Sequence, residues 1–476
     1  MANHRHGRLE VPQPSTGAAP PETRRGKPHR HSAEDGIDHG LAPVDGRSNG
    51  APDPAARVHP APLSEYDYSN FYWGSGDDPF VMLDPFDEWW GHARPWGYYL
   101  FGQPMQTAPR SVVDVVETKD RKHLANLINF ASYNYLGLSY RREVIAAAQV
   151  ALEKYGLGAS GSPILSGMFD LHEELAEKLA QFKNAESVLL FPTGYGANLG
   201  LIAGLMRPGD SVIADQWAHA SIVDGIVLSK AKARFFRHND IDDLDKKLKR
   251  CTGKKLVVVE GVYSMDGDVV DLPGVVETCR RHGARLLIDE AHSMFLFGES
   301  GRGVVEHFHL ENEVDVHLGT FSKSLGGVGG YVAGSKKLIN YLRGFARSYV
   351  FSCAMPPAIA AGLLKSLEIV QAEPELRARL WRNVEILQRR LREENVDIGD
   401  SASQVVPILI RDDQKIFALA EELIHEGVYL QPIRYPAVGK HRSRFRISVS
   451  AAHTPEQLEK GVEIIAHVLK RHGKCQ

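Results

Sequence analysis

Six short runs, almost wholly apolar, recur between residues 187 and 335: SVLLF (187–191), SVIAD (211–215), KLVVVEGVY (255–263), RLLIDEAH (285–292), VDVHLGTFS (314–322) and GGYVAGS (329–335). A strand with one wet face alternates apolar and polar residues, whereas a strand covered on both faces does not. With helical stretches between them, the runs predict a mostly parallel sheet sandwiched by helices, an α/β fold. Ahead of the first run, DLHEELAEKLAQFKN (170–184) places Leu171, Leu175, Leu179 and Phe182 on one face and predicts a helix. Asp170, with Glu173 three residues on, resembles its capping box.

The flanking segments differ in kind. Residues 1–62 are rich in Pro, Gly and Arg with almost no large apolar side chain, and such a stretch cannot offset its ordering entropy, so a disordered tail is expected. Residues 66–101 hold four of the six tryptophans, are broken by Pro and Gly, and read as an irregular aromatic strap. Burial on the core or on a second subunit is the favoured role of that strap. Its other reading is an apolar substrate entrance or a membrane contact. Beyond residue 372 a long charged helix, two or three strands and two further helices suggest a smaller α+β unit. The expected parts are therefore a tail (1–62), an aromatic-rich arm (63–126), a large domain (127–372) and a small C-terminal domain (373–476).

The bulk numbers exclude some classes. A net charge of 56 − 59 = −3 gives no case for a nucleic-acid partner. The four cysteines form no CxxC pair, which argues against a zinc site or disulfide framework and for a reducing cytosol; no metal is expected. No run reaches the ~18 apolar residues of a membrane span, and no apolar signal core opens the chain. A soluble, cytoplasmic protein is expected, with peripheral membrane contact left open.

Several polar residues sit where chemistry could occur. Lys323, in GTFSKSLGGVGG (319–330), follows a predicted strand end, where ligand sites of parallel sheets open. A P-loop requires glycine before the lysine, and Ser322 stands there, so a phosphate nest is disfavoured. A lysine in a dry pocket can instead form a Schiff base. At another strand end stand Asp289 and His292, and a buried acid there needs a partner. FPTGYGAN (191–198) turns from strand to helix, so amides near Thr193, Gly194 and Tyr195 could hold a phosphate. His219 offers a flat imidazole, and Arg446, on a strand-like stretch with Arg444 and Ser448, could fork onto a carboxylate. Singly, each of these is equally compatible with a structural or solvent-facing role.

The motifs NYLGL, TGYGAN, HASIVDG, EGVYSMDGD, DEAHS, GRGVVE, GTFSKSLGGVGGY and SAAHT occur in the order seen in the α-oxoamine synthases, fold-type I pyridoxal-phosphate enzymes. The resemblance covers roughly residues 127–470 and, within the family, is greatest to the serine palmitoyltransferase branch. It implies a seven-stranded, mostly parallel large domain, pyridoxal 5'-phosphate as cofactor and a homodimer with shared active sites. It further implies that Lys323 forms the Schiff base and moves the Cα proton, that Asp289 pairs with the pyridine nitrogen, and that His219 stacks on the ring. His292 and Ser264 would contact the ring hydroxyl. Thr193, Gly194, Tyr195 and Thr320 would hold the phosphate side, with Ser352 supplied to a partner's phosphate pocket. Arg446 would clamp the amino-acid carboxylate, with Tyr133 and Asn134 near the substrate.

The implied reaction is a decarboxylative Claisen condensation of an amino acid with an acyl thioester, on coenzyme A or a carrier protein, giving an α-amino ketone. L-Serine and palmitoyl-CoA lead, with alanine or glycine as alternatives. Three positions depart from the common family pattern: Tyr133 where asparagine is frequent, Pro163 where arginine is frequent, and Ala437 where threonine is frequent. All three bear on substrate recognition. The competing classes are an aminotransferase and a non-catalytic, cofactor-binding partner or regulator; the presence of Lys323 speaks against the latter.

Overall fold

The computed structural model describes residues 66–475, residues 73 and 75 excepted. The expected disorder of residues 1–62 lies outside the described residues. Two strands precede the predicted runs, β1 (Val112–Val116) and β2 (His123–Asn129). The central sheet takes β3 (Ser187–Phe191), β4 (Ser211–Asp215), β5 (Lys232–Phe236), β6 (Lys255–Glu260), β7 (Arg285–Asp289), β8 (Val316–Thr320) and β9 (Gly330–Gly334). Their order is β3-β9-β8-β7-β6-β4-β5, and within it only β9 runs antiparallel to its neighbours. This is the expected seven-stranded, mostly parallel sheet. All five residues of β4 and of β8 are buried, which is why neither run shows the apolar–polar alternation of a strand with one wet face.

Four predicted runs overshoot, GGYVAGS by a single residue at each end and three by more. Strands β6, β7 and β8 stop at Glu260, Asp289 and Thr320, where the chain leaves the sheet and a polar side chain emerges. Strand β5 escaped the sequence pattern because it is an edge strand whose Lys232 and Ala233 face water. The helix at Asp170–Lys183 forms, but Asp170 is its first residue rather than its cap. The cap position is Phe169, whose backbone N–H is satisfied by His172 Nδ1 at 3.1 Å, while Asp170 accepts from the Tyr155 hydroxyl.

The aromatic stretch is not irregular throughout: Leu83–Trp96 is a helix. Pro85 stands in its first turn, where no intrahelical N–H is needed, and Pro95 in its last, so neither breaks the middle. Trp89, Tyr98 and Tyr99 are buried, and Tyr98, Phe101 and Trp96 surround Phe417 of the Lys415–His425 helix at centroid distances of 5.0, 6.0 and 5.9 Å. The arm thus packs on the C-terminal part of the same chain, the burial favoured from sequence. Phe80 and Leu83 remain exposed. The expected break at 126/127 falls inside β2, which pairs antiparallel with β1 and parallel with β11 (Val428–Tyr429). The C-terminal part holds four short strands rather than two or three: β10 (Val405–Leu409), β11, β12 (Pro432–Ile433) and β13 (Arg444–Ser448), with β13 between β10 and β12. Among the described residues no helix is long and apolar enough to cross a membrane.

One buried ion pair braces the sheet beneath its carboxyl edge. Lys183 donates to the Glu290 carboxylate and to the Arg302 carbonyl, and both charged side chains are almost fully covered. Burial works against the ionised form of Glu290, yet Lys183 and His317 outweigh it and hold its pKa at about 2. Gly303 has φ +101°, and a Cβ there would collide with the Glu290 carboxylate, so the glycine in GRGVVE is required. Removing one partner strands the other charge in the interior. Lys183→Met is expected to destabilise the fold by about 3 to 5 kcal/mol. Without the ammonium, Glu290 titrates above its unfolded value, so the deficit measured by urea unfolding should shrink as pH falls through the acidic range.

Candidate active site

Four neighbouring strands end in polar side chains along one edge of the sheet: Thr320 on β8, Asp289 on β7, Glu260 on β6 and Asp215 on β4. Each is buried, and Glu260 and Asp289 stand opposite one another in register. Three carboxylates so placed require donors, because an unpaired buried charge is costly.

Asp289 accepts from Asn198 Nδ2 at 2.8 Å and from the Ala291 backbone N–H at 2.9 Å. Asn198, one turn into the Gly194–Leu205 helix, also donates to Ser221 Oγ at 3.0 Å. Glu260 accepts from the backbone N–H of His219 at 2.6 Å. Burial, reinforced by the Asp289 carboxylate, pushes Glu260 well above the usual carboxylate range. His219 caps the Ala220–Ser229 helix with its Nδ1 2.8 Å from Ser221 Oγ, and the Tyr195 ring stands edge-on to it at 6.2 Å. The Tyr195 hydroxyl in turn donates to Asp224.

Lys323 leaves β8 in a tight turn closed by a 3.1 Å bond from Gly326 N to its own carbonyl. Burial lowers its pKa to about 8; Asp289 and Glu260 pull upward against that, and Arg446 adds to the fall. A lysine so placed exchanges its proton near neutrality. His292 is buried with Nδ1 2.8 Å from the Tyr135 hydroxyl, and its carbonyl accepts from Gln404. Burial, then the positive charges of Lys323 and Arg446, hold its pKa far below the ordinary value, so the imidazole is neutral.

The two arginines of β13 differ. Arg444 is taken up by Asp266 and the Met265 carbonyl. Arg446 donates to the Ser264 carbonyl at 3.2 Å and lies 4.5 Å over the Tyr133 ring, and among the described residues it forms no ion pair with a carboxylate. Tyr133 also meets the His292 ring edge at 6.5 Å, so the structure joins Tyr133, His292, Arg446 and Ser264. Asn134 points elsewhere, its amide donating to the Pro109 carbonyl and to Ser139 Oγ.

At the other side, Thr193 caps its helix by accepting from Gly196 N at 2.9 Å. Thr320 Oγ1 bonds the Gly329 carbonyl and Ser322 Oγ, both at 2.8 Å. Gly194 is obligatory: a Cβ there would stand 2.9 Å from Thr320 Cβ. The first helical amides, Gly194 and Tyr195, therefore open beside Thr320 with no preceding turn to accept them. Ser352 follows the short Arg347–Val350 helix and shares no hydrogen bond with this cluster. Sequence reasoning passed over Asn198, Glu260 and Tyr135, although each lay inside a quoted motif. Asn198 was legible as the i+4 neighbour of Gly194 on the face turned to the strand ends.

A family model described as aminotransferase class I and II matches residues 125–465. The chain is 41% identical over 377 residues to a serine palmitoyltransferase of Sphingobacterium spiritivorum, covering 79% of this chain and 93% of the relative. It is 40% identical over 368 residues to an 8-amino-7-oxononanoate synthase of Symbiobacterium thermophilum, covering 77% and 92%. A solved serine palmitoyltransferase from S. paucimobilis, bound to a PLP–myriocin aldimine, superposes with TM-score 0.79 at 34% identity, covering 83% of this chain and all of that one. The chain is an α-oxoamine synthase of the aminotransferase class I and II family.

For an α-oxoamine synthase the residues fit pyridoxal 5'-phosphate. Asp289 offers a fixed carboxylate, Lys323 an amine near neutrality, and the Gly194 approach leaves helix amides open to a phosphate. Asp289→Asn removes the charge that most favours the Lys323 ammonium. The pKa of Lys323 should then fall further below about 8. Competitive acetylation of the cofactor-free protein across pH 6–10, read by peptide mass spectrometry, measures that shift directly.

Proposed function

We propose that the protein condenses L-serine with palmitoyl-CoA, releasing carbon dioxide and free coenzyme A and yielding an α-amino ketone of the 3-ketodihydrosphingosine type. The observation that carries the reading is Arg446, a buried guanidinium that among the described residues has no carboxylate partner, and whose charge is felt by a lysine with a pKa near 8. An amino acid's carboxylate suits the first group, and its Cα proton suits the second.

Pyridoxal phosphate, when bound, supplies the electron sink that makes the Cα proton acidic. In this reading Lys323 carries the cofactor and later moves that proton. Asp289, held by Asn198, keeps the pyridine nitrogen protonated. His219, its backbone fixed by Glu260, would cover the cofactor ring. His292, neutral and bonded to Tyr135, would with Ser264 contact its hydroxyl. Thr193, Gly194, Tyr195 and Thr320 serve the phosphate, with Ser352 reaching a partner's pocket in a homodimer that shares its sites. Tyr133 lines the amino-acid side and Asn134 shapes its loop. Holding carboxylate, ring and thioester together removes much of the entropic cost of the encounter. A place in sphingolipid synthesis, in the cytoplasm or at a membrane surface, belongs to the same reading.

A second reading has alanine or glycine as the amino acid and another acyl-CoA or a carrier-protein thioester as its partner. It is favoured by the 40% identity to an 8-amino-7-oxononanoate synthase. A matrix of amino acids against acyl thioesters, scored by released thiol and carbon dioxide, separates the two. L-Serine with palmitoyl-CoA should give the highest rate. Highest turnover with alanine or glycine selects the second reading, and keto-acid formation without thiol release rejects both. Lys323→Ala should lower turnover by at least about 10²-fold. Arg446→Ala should raise the amino-acid KM by roughly 10- to 100-fold with little change for the thioester, as expected for a lost charge-assisted bond.

A further inference from the structure

His238 follows β5, and its imidazole is wedged between two carboxylates. Nδ1 lies 3.1 and 3.2 Å from the oxygens of Asp215 at the end of β4, and Nε2 lies 2.8 Å from Asp268. With an acceptor at each ring nitrogen, both donate only when the ring is an imidazolium. Burial alone would depress its pKa, but the bonds to Asp215 and Asp268 outweigh burial and hold it at about 10. Trp217 stacks on the ring at 3.6 Å, and Tyr263 meets it edge-on at 4.4 Å. Asp215 also accepts from Trp217 N at 2.8 Å, Asn239 N at 3.0 Å and the Tyr263 hydroxyl at 3.0 Å.

Two segments of the active site end in this knot. Trp217 is two residues before His219. The turn from Tyr263 to Asp268, closed by a 3.0 Å bond from Tyr263 N to the Asp268 carbonyl, carries Ser264. Arg446 donates to the Ser264 carbonyl and lies 3.9 Å from Met265 Sδ, both on this turn, with the Tyr133 ring beneath it, and Met265 and Asp266 hold Arg444. The His238 side chain itself sits behind these residues, against Trp217 and Tyr263.

We propose that His238 is a positioning residue: bridging Asp215 and Asp268, it ties the 263–268 turn to the sheet and so fixes the Ser264 carbonyl that aims Arg446 at the substrate carboxylate. This inference rests on the reading of Arg446 as the carboxylate clamp and adds to it the device that holds the clamp in place. The charged or titratable groups facing the ring are Asp215, Asp268 and Tyr263, with Arg442 4.5 Å beyond Trp217.

The test is an equilibrium titration of the cofactor-loaded enzyme with L-serine, glycine or L-alanine, the thioester left out, followed by the cofactor's absorbance. The amino acid that binds wild-type protein is used throughout. If it is not L-serine, the substrate reading fails while the comparison stands. His238→Ala should weaken its binding about tenfold, within the range of coupled neighbours. In an Arg446→Ala background the same change should add almost nothing. Unchanged affinity in His238→Ala, a full additive loss in the double variant, or loss of bound cofactor would overturn the positioning role. If Arg446→Ala itself leaves affinity unaltered, the clamp and this inference fall together.

Because His238→Ala strands two carboxylates, Asp268→Asn provides a second arm that keeps an acceptor for Nε2. With one negative charge gone, the imidazolium pKa falls from about 10, and its hold is lost as pH rises through the new value. Binding relative to wild type should therefore be near normal at pH 6 and several-fold weaker at pH 9. A ratio independent of pH would count against the proposal.

Discussion

Burying a row of carboxylates at the edge of a parallel sheet is the constraint from which the rest of the site follows. Asp289, Glu260 and Asp215 end three strands in succession, and all three are buried. Each acquires a different solution. Asp289 takes the Asn198 amide and faces Lys323; Glu260 takes a backbone N–H and is pushed toward the neutral acid; Asp215 takes an imidazolium, a phenol and two backbone amides. The surrounding polar groups, from Asn198 to His238, are in place because the carboxylates need them.

The same row sets the chemistry of Lys323. Its pKa near 8 is a balance between burial and Arg446, which disfavour the ammonium, and two acids, which favour it. A deeper pocket without the acids would leave an amine unable to hold a proton; a wet loop would leave one unable to release it. Helix Gly194–Leu205 completes the arrangement, because the missing side chain at Gly194 lets its first turn approach Thr320.

Below the edge, Glu290 points the other way from Asp289 and meets Lys183, so consecutive acids in DEAHS serve opposite ends of the design. One is held by Asn198 at the carboxyl edge and the other holds sheet and helix together. The aromatic arm adds a third contact, closing on Phe417 and joining the N-terminal described residues to the C-terminal helices.

By itself the sequence determined the strands that are apolar on both faces, and hence the central sheet, since burial on both faces favours an apolar run over an alternating one. It also singled out Lys323, Asp289, His219, His292 and Arg446 as candidates, because each stands in a recognisable local motif. Edge strand β5 was illegible since one wet face permits charge, and the helix at Leu83–Trp96 was hidden by prolines tolerated at its two ends. Only the tertiary structure could show that Tyr135 meets His292, that Asn198 holds Asp289, or that Arg446 rests on Ser264 while Arg444 is neutralised. Those partners are 91 to 182 residues apart in the chain, and no local pattern encodes a contact that the fold alone brings within 3.2 Å.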